Sequence, residues 1–401
     1  MSDLSQFFGG GFVGDSAFFD ERGESFTRGP QVWLRSGTID STATYPKAGS
    51  VDALRVSGQI TFLPTSVTVT GVATDGGNIW IAAYGDATNV LRSTDNGATW
   101  ATIAHNAGGI VTDVVFGNNI FVAMGNTASA FIVSSSNAAG STWFVRTGSA
   151  ITTGTINTAR VIWTGSQFVA ICCGATVGAA STSTNGSTWT AQTTSQALVG
   201  GCSIAFNGSL YYASSTSGTT AISSTNAISW TNRTSPAASL GRVVSNGSIF
   251  LIGSVTGSVY YTTTNAINFD ARVLPAESAA APRGMRITGV AWTGTHFLVT
   301  SIPDNNNSSN GIMYYSTDGI AGWKRRWLTA SHSLSAASFW FPHGNGAKVV
   351  CMPGGDGLHG IGLYTASFPT GADFVGSSFP VYSGEGNVNN RANAVMYHRV
   401  N

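Results

Sequence analysis

The chain is 401 residues long, carries a net charge of +1, and has 9% charged against 42% hydrophobic residues. The apolar fraction is enough for a folded core over one large repeat domain or two ordinary ones, whereas the near-zero charge offers no field that would recruit nucleic acid or an anionic membrane. No apolar stretch approaches the ~18 residues of a membrane span, so neither a nucleic-acid partner nor membrane insertion is expected.

Residues 1–65 stand apart from the rest. Seven of the 18 carboxylates fall in them: Asp3, Asp15, Asp20, Glu21, Glu24, Asp40 and Asp52. Gly9-Gly10-Gly11, flanked by Phe7, Phe8 and Phe12, is too Gly-rich for a stable helix. It reads either as an arm that orders when its Phe residues dock on a partner or as a frayed terminus. Residues 31–39, around Trp33-Leu34, read as a strand, and Thr44-Tyr45-Pro46-Lys47-Ala48 follows. The first residues lack a basic region followed by an apolar core, so no secretory signal is expected.

Residues 66–378 are periodic. One marker is a hairpin turn followed by a large apolar residue, ending at Trp80, Phe121, Phe168, Tyr211, Phe250, Phe297 and, in a looser copy, Val349; the intervals are 41, 47, 43, 39, 47 and 52 residues. The second marker begins as Ser93-Thr94-Asp95-Asn96-Gly97-Ala98-Thr99-Trp100. It combines turn residues that tolerate φ > 0 with an aromatic plug. Further plugs fall at Trp143, Trp189, Trp230, Phe269 and Trp323, with a degraded copy at Phe374, at intervals of 43, 46, 41, 39, 54 and 51. Both markers keep one period and one phase. Each unit holds four short strands, in the second unit 111–116, 120–124, 130–134 and 142–145. Four antiparallel strands in 40 to 50 residues make a propeller blade. The expectation is therefore an all-β chain: a seven-bladed β-propeller of four-stranded antiparallel blades over 66–378, an N-terminal segment 1–65, and a C-terminal tail 379–401 that pairs with that segment.

Two resemblances add to this. Trp33-Leu34-Arg35-Ser36-Gly37 with Tyr45-Pro46-Lys47-Ala48, and the terminal Tyr397-His398-Arg399-Val400, resemble short segments found near the start and at the end of many bacteriophage tail-fibre and tail-tip proteins. That resemblance implies a virion attachment module at 1–65, with Phe7, Phe8, Phe12 and Trp33 as attachment residues, tail or baseplate proteins as partners, a host-surface glycan or protein as receptor, and a location in the phage tail. Such fibres are commonly trimeric, although no heptad in this chain supports a trimer. The plug motif in turn is similar to the Asp-box of sialidases and related propellers. Asp95 and Asp318 keep the acid of that motif, and Gly97 and the plug aromatics its frame. The box lies at the blade periphery in those folds, so it speaks to architecture and hardly to chemistry.

The residues give little support for catalysis. A glycosidase needs two carboxylates flanking the scissile bond, yet from Val114 to Phe269 there is no Asp or Glu, and the only cations are Arg146, Arg160, Arg233 and Arg242. Asp86, Asp113 and Asp304 are the carboxylates that could reach an axial face. Six scattered histidines give no metal spacing, and the Asn-rich stretch 304–311 reads as a loop insertion rather than a Ca²⁺ site. Cys172, Cys173, Cys202 and Cys351 read as small buried apolar residues. Lys324-Arg325-Arg326 is the only basic run and reads as a solvated strand edge. No catalytic residue, metal or cofactor is expected. A non-enzymatic receptor-binding propeller is the reading, with a glycan-cleaving propeller enzyme as the rival. Tyr84, Tyr212, Tyr261 and Tyr315 are the candidate glycan-contact aromatics, since sugar faces stack on exposed rings, against the alternative that these tyrosines pack between strands.

Overall fold

The computed structural model describes the backbone at residues 69–126, 130–146, 156–174, 179–275, 285–303 and 311–330, together with the strands Phe18–Phe19, Ser25–Phe26, Val32–Arg35, Arg55–Phe62, Phe339–Gly344, Lys348–Pro353, Gly362–Ser367 and Val395–His398. The described residues are strands and turns, with no helix among them. The chain divides into two compact units: Ser57–Ala276 with Arg283–Phe368, and Met1–Val56 with Glu277–Pro282 and Pro369–Asn401.

The larger unit is a β-propeller of four-stranded antiparallel blades. Its first sheet runs Val69–Thr74, Trp80–Tyr84, Asn89–Ser93 and Ala101–Ala104 in chain order. The second comprises Ile110–Gly117, Ile120–Asn126, Ala130–Ser135 and Trp143–Arg146, and the third Ile156–Trp163, Phe168–Gly174, Ala179–Ser183 and Thr190–Thr193. The fourth comprises Cys202–Phe206, Tyr211–Ser215, Thr220–Ser224 and Thr231–Thr234; the fifth, Leu240–Ser245, Phe250–Ser254, Val259–Thr263 and Asp270–Val273. The sixth sheet has eight strands, in the order Met285–Trp292, Phe297–Pro303, Gly311–Ser316, Lys324–Ala330, Arg55–Phe62, Gly362–Ser367, Lys348–Pro353 and Phe339–Gly344.

Six propeller sheets therefore stand where the repeat predicts seven blades. The reason is Arg55–Phe62, which by its place in the sequence falls in the N-terminal segment. It pairs antiparallel with Gly362–Ser367 and joins the strands of the last two repeats into one sheet. The first strands of successive sheets lie side by side. Phe339–Gly344 follows Met285–Trp292 and returns to Val69–Thr74, closing the ring.

The core lies between sheets rather than within them. Second strands are covered on both faces, which is why Phe168–Gly174 reads as an unbroken apolar run and is buried at every position. Alternate side chains face opposite interfaces. Phe168, Ala170 and Cys172 meet Val122, Met124 and Ile132 of the second sheet, while Val169, Ile171 and Cys173 meet Ile204, Tyr211 and Ala213 of the fourth. The same alternation places Cys173 against Cys202 of the next sheet, and the two are disulfide-bonded with Cα atoms 5.8 Å apart. This corrects the reading of Cys173 and Cys202 as apolar fillers. Cys172, one residue away, points to the other interface and is a free, buried thiol.

In the smaller unit, Val32–Arg35 pairs antiparallel with Val395–His398, in the register Trp33 opposite Tyr397 and Leu34 opposite Met396. Phe18–Phe19 pairs with Ser25–Phe26. Phe7, Phe8 and Phe12 lie outside the described residues.

Candidate functional site at the propeller axis

The plug motif forms the turn between third and fourth strands. In the first sheet the Ser93 hydroxyl donates to Asp95 Oδ1 (2.7 Å) and accepts from Gly97 N–H (2.9 Å), while Asp95 Oδ1 also accepts from Thr99 N–H at 2.8 Å. Burial alone would raise the Asp95 carboxyl; hydrogen bonds from Thr99 and Ser93 outweigh it and hold the pKa at about 2. Asp318 repeats the arrangement, accepting from Ile320 and Ala321 N–H. Where Asn stands in place of Asp, its side-chain oxygen does the same work: Asn185, Asn226 and Asn265 each accept two backbone N–H bonds at 2.9 Å. The acid is replaceable because the turn needs an acceptor, not a charge.

The turn is also a wedge between sheets. Gly186 has φ 68°, and a Cβ there would lie 2.6 Å from Ile120 Cδ1 of the preceding sheet. The plugs Trp143, Trp189 and Trp230 are buried, and Trp100, Phe269 and Trp323 half-buried. The indoles of Trp100, Trp143 and Trp189 donate back to the turn carbonyls of Gly97, Gly140 and Gly186, each at 3.1 Å, and Trp323 donates to the Tyr260 hydroxyl at 2.7 Å.

Three of the four candidate glycan aromatics are corrected. Tyr84, Tyr212 and Tyr315 are buried, because second and third strands are sandwiched between sheets, and so present no face to a sugar. The Tyr84 hydroxyl donates to Asp86 Oδ2 and that of Tyr212 bonds Ser235 Oγ, both at 3.1 Å. Burial, with Asp86 beside it, pushes the Tyr84 phenol up to about 12. Tyr261 is half-buried. Asp86 is spent on its own turn, accepting from Thr88 and Asn89. Asp304 lies outside the described residues.

The polar constellation that gathers distant parts of the chain is at the axis. First strands of several sheets carry a β-bulge at one level: between Val69 and Gly71, Val111 and Asp113, Ile156 and Thr158, Leu240 and Val243, and Ile287 and Gly289. A bulge bends its strand and re-aims side chains. The bulged threonines tie neighbouring first strands: Thr70 Oγ1 donates to Val111 O (2.7 Å) and Thr112 Oγ1 to Ala159 O (2.9 Å). Asp113 then accepts from Val161 N–H with Oδ2 (3.2 Å) and from Arg242 Nη2 with Oδ1 (3.2 Å). Arg242 also donates to Thr70 O at 2.8 Å. It belongs to the fifth sheet and its acceptors to the first and second, so it spans the ring. Arg160 donates to Thr112 O (2.5 Å) and Cys202 O (3.2 Å), with Nη1 3.9 Å from Asp113. Burial lowers the Arg160 pKa to about 10, with Arg242 adding to the fall and Asp113 opposing it, so it remains a cation at neutral pH.

Arg160 and Arg242 are the residues that sequence reasoning counts without placing. A signal for them exists: two cations within first strands, in a span without a single acid. Chemically the cluster is a brace, in which one carboxylate holds two guanidinium groups and both reach backbone carbonyls. It offers no second carboxylate for acid–base work, and no group of three or more His, Cys, Asp or Glu that could hold a metal occurs among the described residues.

These features define the class as a β-propeller. No family model and no curated protein matches the chain. Among solved structures it is similar to YCF48 bound to D1 peptide, at TM-score 0.56 and 15% identity over 79% of this chain and 97% of that one. YCF48 from Cyanidioschyzon merolae gives 0.53 and 16% over 79% and 99%, and a catalytically inactive virginiamycin B lyase from Staphylococcus aureus with quinupristin gives 0.54 and 8% over 78% and 99%. At these identities the likeness is one of fold alone.

Proposed function

We propose that the protein is a structural component of a bacteriophage tail, a tail fibre or tail tip. Residues 1–65 attach it to other tail or baseplate proteins, and the propeller is displayed for host-surface recognition and adsorption, without catalysis. The observation that carries this reading is the pairing of Val32–Arg35 with Val395–His398. The two short stretches whose sequences resemble the ends of tail-fibre proteins are the two that pair with each other, in the unit outside the propeller. The absence of acids between Val114 and Phe269 and the braced state of Asp113 favour a binding role over glycan cleavage.

In the same reading the eight-stranded sheet counts as two blades, giving a seven-bladed propeller. Arg55–Phe62 is then the outermost strand of the seventh blade, so that the start of the chain closes the ring against its end. The first strands support this count, because Met285–Trp292 and Phe339–Gly344 occupy successive places around the axis. The receptor is a host glycan or protein, and the protein assembles as a homo-oligomer within the particle.

Deleting residues 1–30 should leave a folded propeller and abolish incorporation into purified particles; particles that still carry the shortened chain would remove the attachment role. Release of reducing ends or sialic acid from host-envelope polysaccharide would overturn the non-enzymatic reading.

A further inference from the structure

The outer edge of the propeller carries a pattern that neither the core nor the axis accounts for. Three residues beyond the plug, on the outermost strand, stand Arg146 in the second sheet, Arg233 in the fourth and Arg272 in the fifth. The strand register makes them equivalent: Arg146 lies opposite Ile132, Arg233 opposite Ala221 and Arg272 opposite Tyr260, each partner three residues before the turn's hydroxyl residue. In the sixth sheet Arg326 takes the same register position, opposite Met313.

The three are held alike. Nε of Arg146 donates to Ser134 Oγ (2.6 Å), that of Arg233 to Ser223 Oγ (3.0 Å) and that of Arg272 to Thr262 Oγ1 (2.9 Å). A guanidinium pinned through Nε is oriented by a neutral hydroxyl, while its two Nη groups form the fork that matches a carboxylate, phosphate or sulfate. The neighbourhood leaves that charge largely uncompensated. From Val114 to Phe269 the sequence has no acid, and its cations besides the axial pair are Arg146 and Arg233. Among the described residues Arg272 pairs with one carboxylate, Asp270 at 3.3 Å, which is itself 75% exposed.

We infer that this arginine ladder on the outer strands is a binding face for an anionic polysaccharide. The inference rests on the host-surface reading above and names its ligand class. Around the arginines the outer strands expose Thr231, Asn232 and Thr234, whose hydroxyl and amide groups suit sugar hydroxyls. Phe144 is the sole exposed aromatic on the three arginine-bearing strands, so the stacking platforms that single-stranded nucleic acid uses are missing from them. A repeating acidic polymer laid along the rim meets a guanidinium on the second, fourth and fifth sheets, with Gln192 at the equivalent position of the third.

The test is binding of the full chain to immobilised polygalacturonate and poly(glycerol phosphate), with neutral dextran and a mixed-sequence DNA duplex in parallel. Binding to at least one anionic glycan should fall roughly tenfold or more between about 50 and 200 mM salt, as expected when a few fixed charges displace counterions. The triple variant Arg146→Gln, Arg233→Gln, Arg272→Gln should lose about tenfold or more, and the triple Lys variant, which keeps the charge, should stay within about threefold of the parent. Equal binding to dextran, equal or tighter binding to DNA, absence of binding to both anionic polymers, or Gln and Lys variants that behave alike would each overturn the inference. Unchanged melting of the variants separates lost binding from lost fold. Particle incorporation, measured independently, reports on the tail assignment and not on this face.

Discussion

The axis and the rim of the same blades both use arginine, and the two sets behave in opposite ways. At the axis, Arg160 and Arg242 reach backbone carbonyls of other sheets and share Asp113. At the rim, Arg146, Arg233 and Arg272 each have their Nε held by one hydroxyl of the adjacent strand in their own sheet. The lesson is that residue type says little until burial and the span of the contacts are known. A buried guanidinium must find acceptors for most of its donors or be destabilising, and at a ring axis those acceptors belong to other sheets. A half-buried guanidinium on an outer strand meets a neutral hydroxyl of its own sheet and needs only orientation.

Removing the axial acid is the largest way to break this contrast. Asp113→Ala leaves two cations facing each other with their common partner gone and takes the acceptor from Val161 N–H. Unfolding free energy should drop by roughly 3 kcal/mol, the lower end for a broken buried pair, because Arg242 keeps 24% of its side chain exposed. Urea unfolding followed by tryptophan fluorescence measures it; a loss below about 1 kcal/mol would show that the axis is not braced by this cluster.

At the turns into the outermost strands sit the plugs, where the comparison can be made within one motif. Trp189 donates to Gly186 O at 3.1 Å, whereas Trp230 Nε1 is buried without a hydrogen-bond partner among the described residues. Both Trp→Phe changes remove similar volume. Only Trp189→Phe also strands an acceptor, and Trp230→Phe removes a donor that was already unsatisfied. Trp189→Phe should therefore be the more destabilising by about 1–2 kcal/mol. Equal losses would mean that packing alone sets the value of the plug.

The repeat itself is legible in the sequence because it is local. Turn chemistry at Asp95–Gly97 and its relatives, and an aromatic at a fixed offset, report on a few neighbouring residues, and they mark the four-stranded blade. Contacts between sheets are not legible. The bond from Arg242 to Thr70 joins residues far apart in the chain with no periodic signature, and the Cys173–Cys202 bridge depends on which way alternate residues of a strand face. The tyrosines mislead for a related reason. An alternation argument assumes one wet face; second strands here have none and third strands only a half-buried one, so Tyr84, Tyr212 and Tyr315 are core. Position also overrides propensity: Ala227 and Ala266 stand where other turns have Gly, at φ 59° and 56°, and their methyl groups are buried in the inter-sheet core.

A milder perturbation is protonation. His105 is buried, accepts from Ala107 N–H with Nδ1 (3.3 Å) and stacks on Phe131 with ring centroids 5.9 Å apart. Burial lowers its pKa, against an opposing pull from Asp86, and burial together with Lys324 lowers that of His296. Both favour the neutral ring in the fold. Their contribution is therefore complete above the ordinary histidine pKa of about 6.5 and is lost as pH falls below it. The carboxylates with lowered pKa values, Asp86, Asp95 and Asp318, keep their contribution until far more acidic pH. The melting temperature should be level from neutral to mildly alkaline pH and decline between about pH 6.5 and 5, with a shallower decline in His105→Gln. A profile flat down to pH 5 would place these rings in contact with water.

The smallest expected effect is at the rim, and it completes the contrast with Asp113. Arg233→Gln removes a half-buried guanidinium whose one anchoring bond is to the neutral hydroxyl of Ser223, and the glutamine amide can still meet that hydroxyl or water. No carboxylate is left behind unpaired, since the sequence has none from Val114 to Phe269. Stability should therefore stay within about 0.5 kcal/mol of the parent, because the one buried partner, the Ser223 hydroxyl, still has an amide donor within reach. Chemical denaturation measures this on the same footing as Asp113→Ala. A loss comparable to the axial variant would mean that the rim arginines hold the third and fourth strands together, and that their common register serves the blade rather than a ligand.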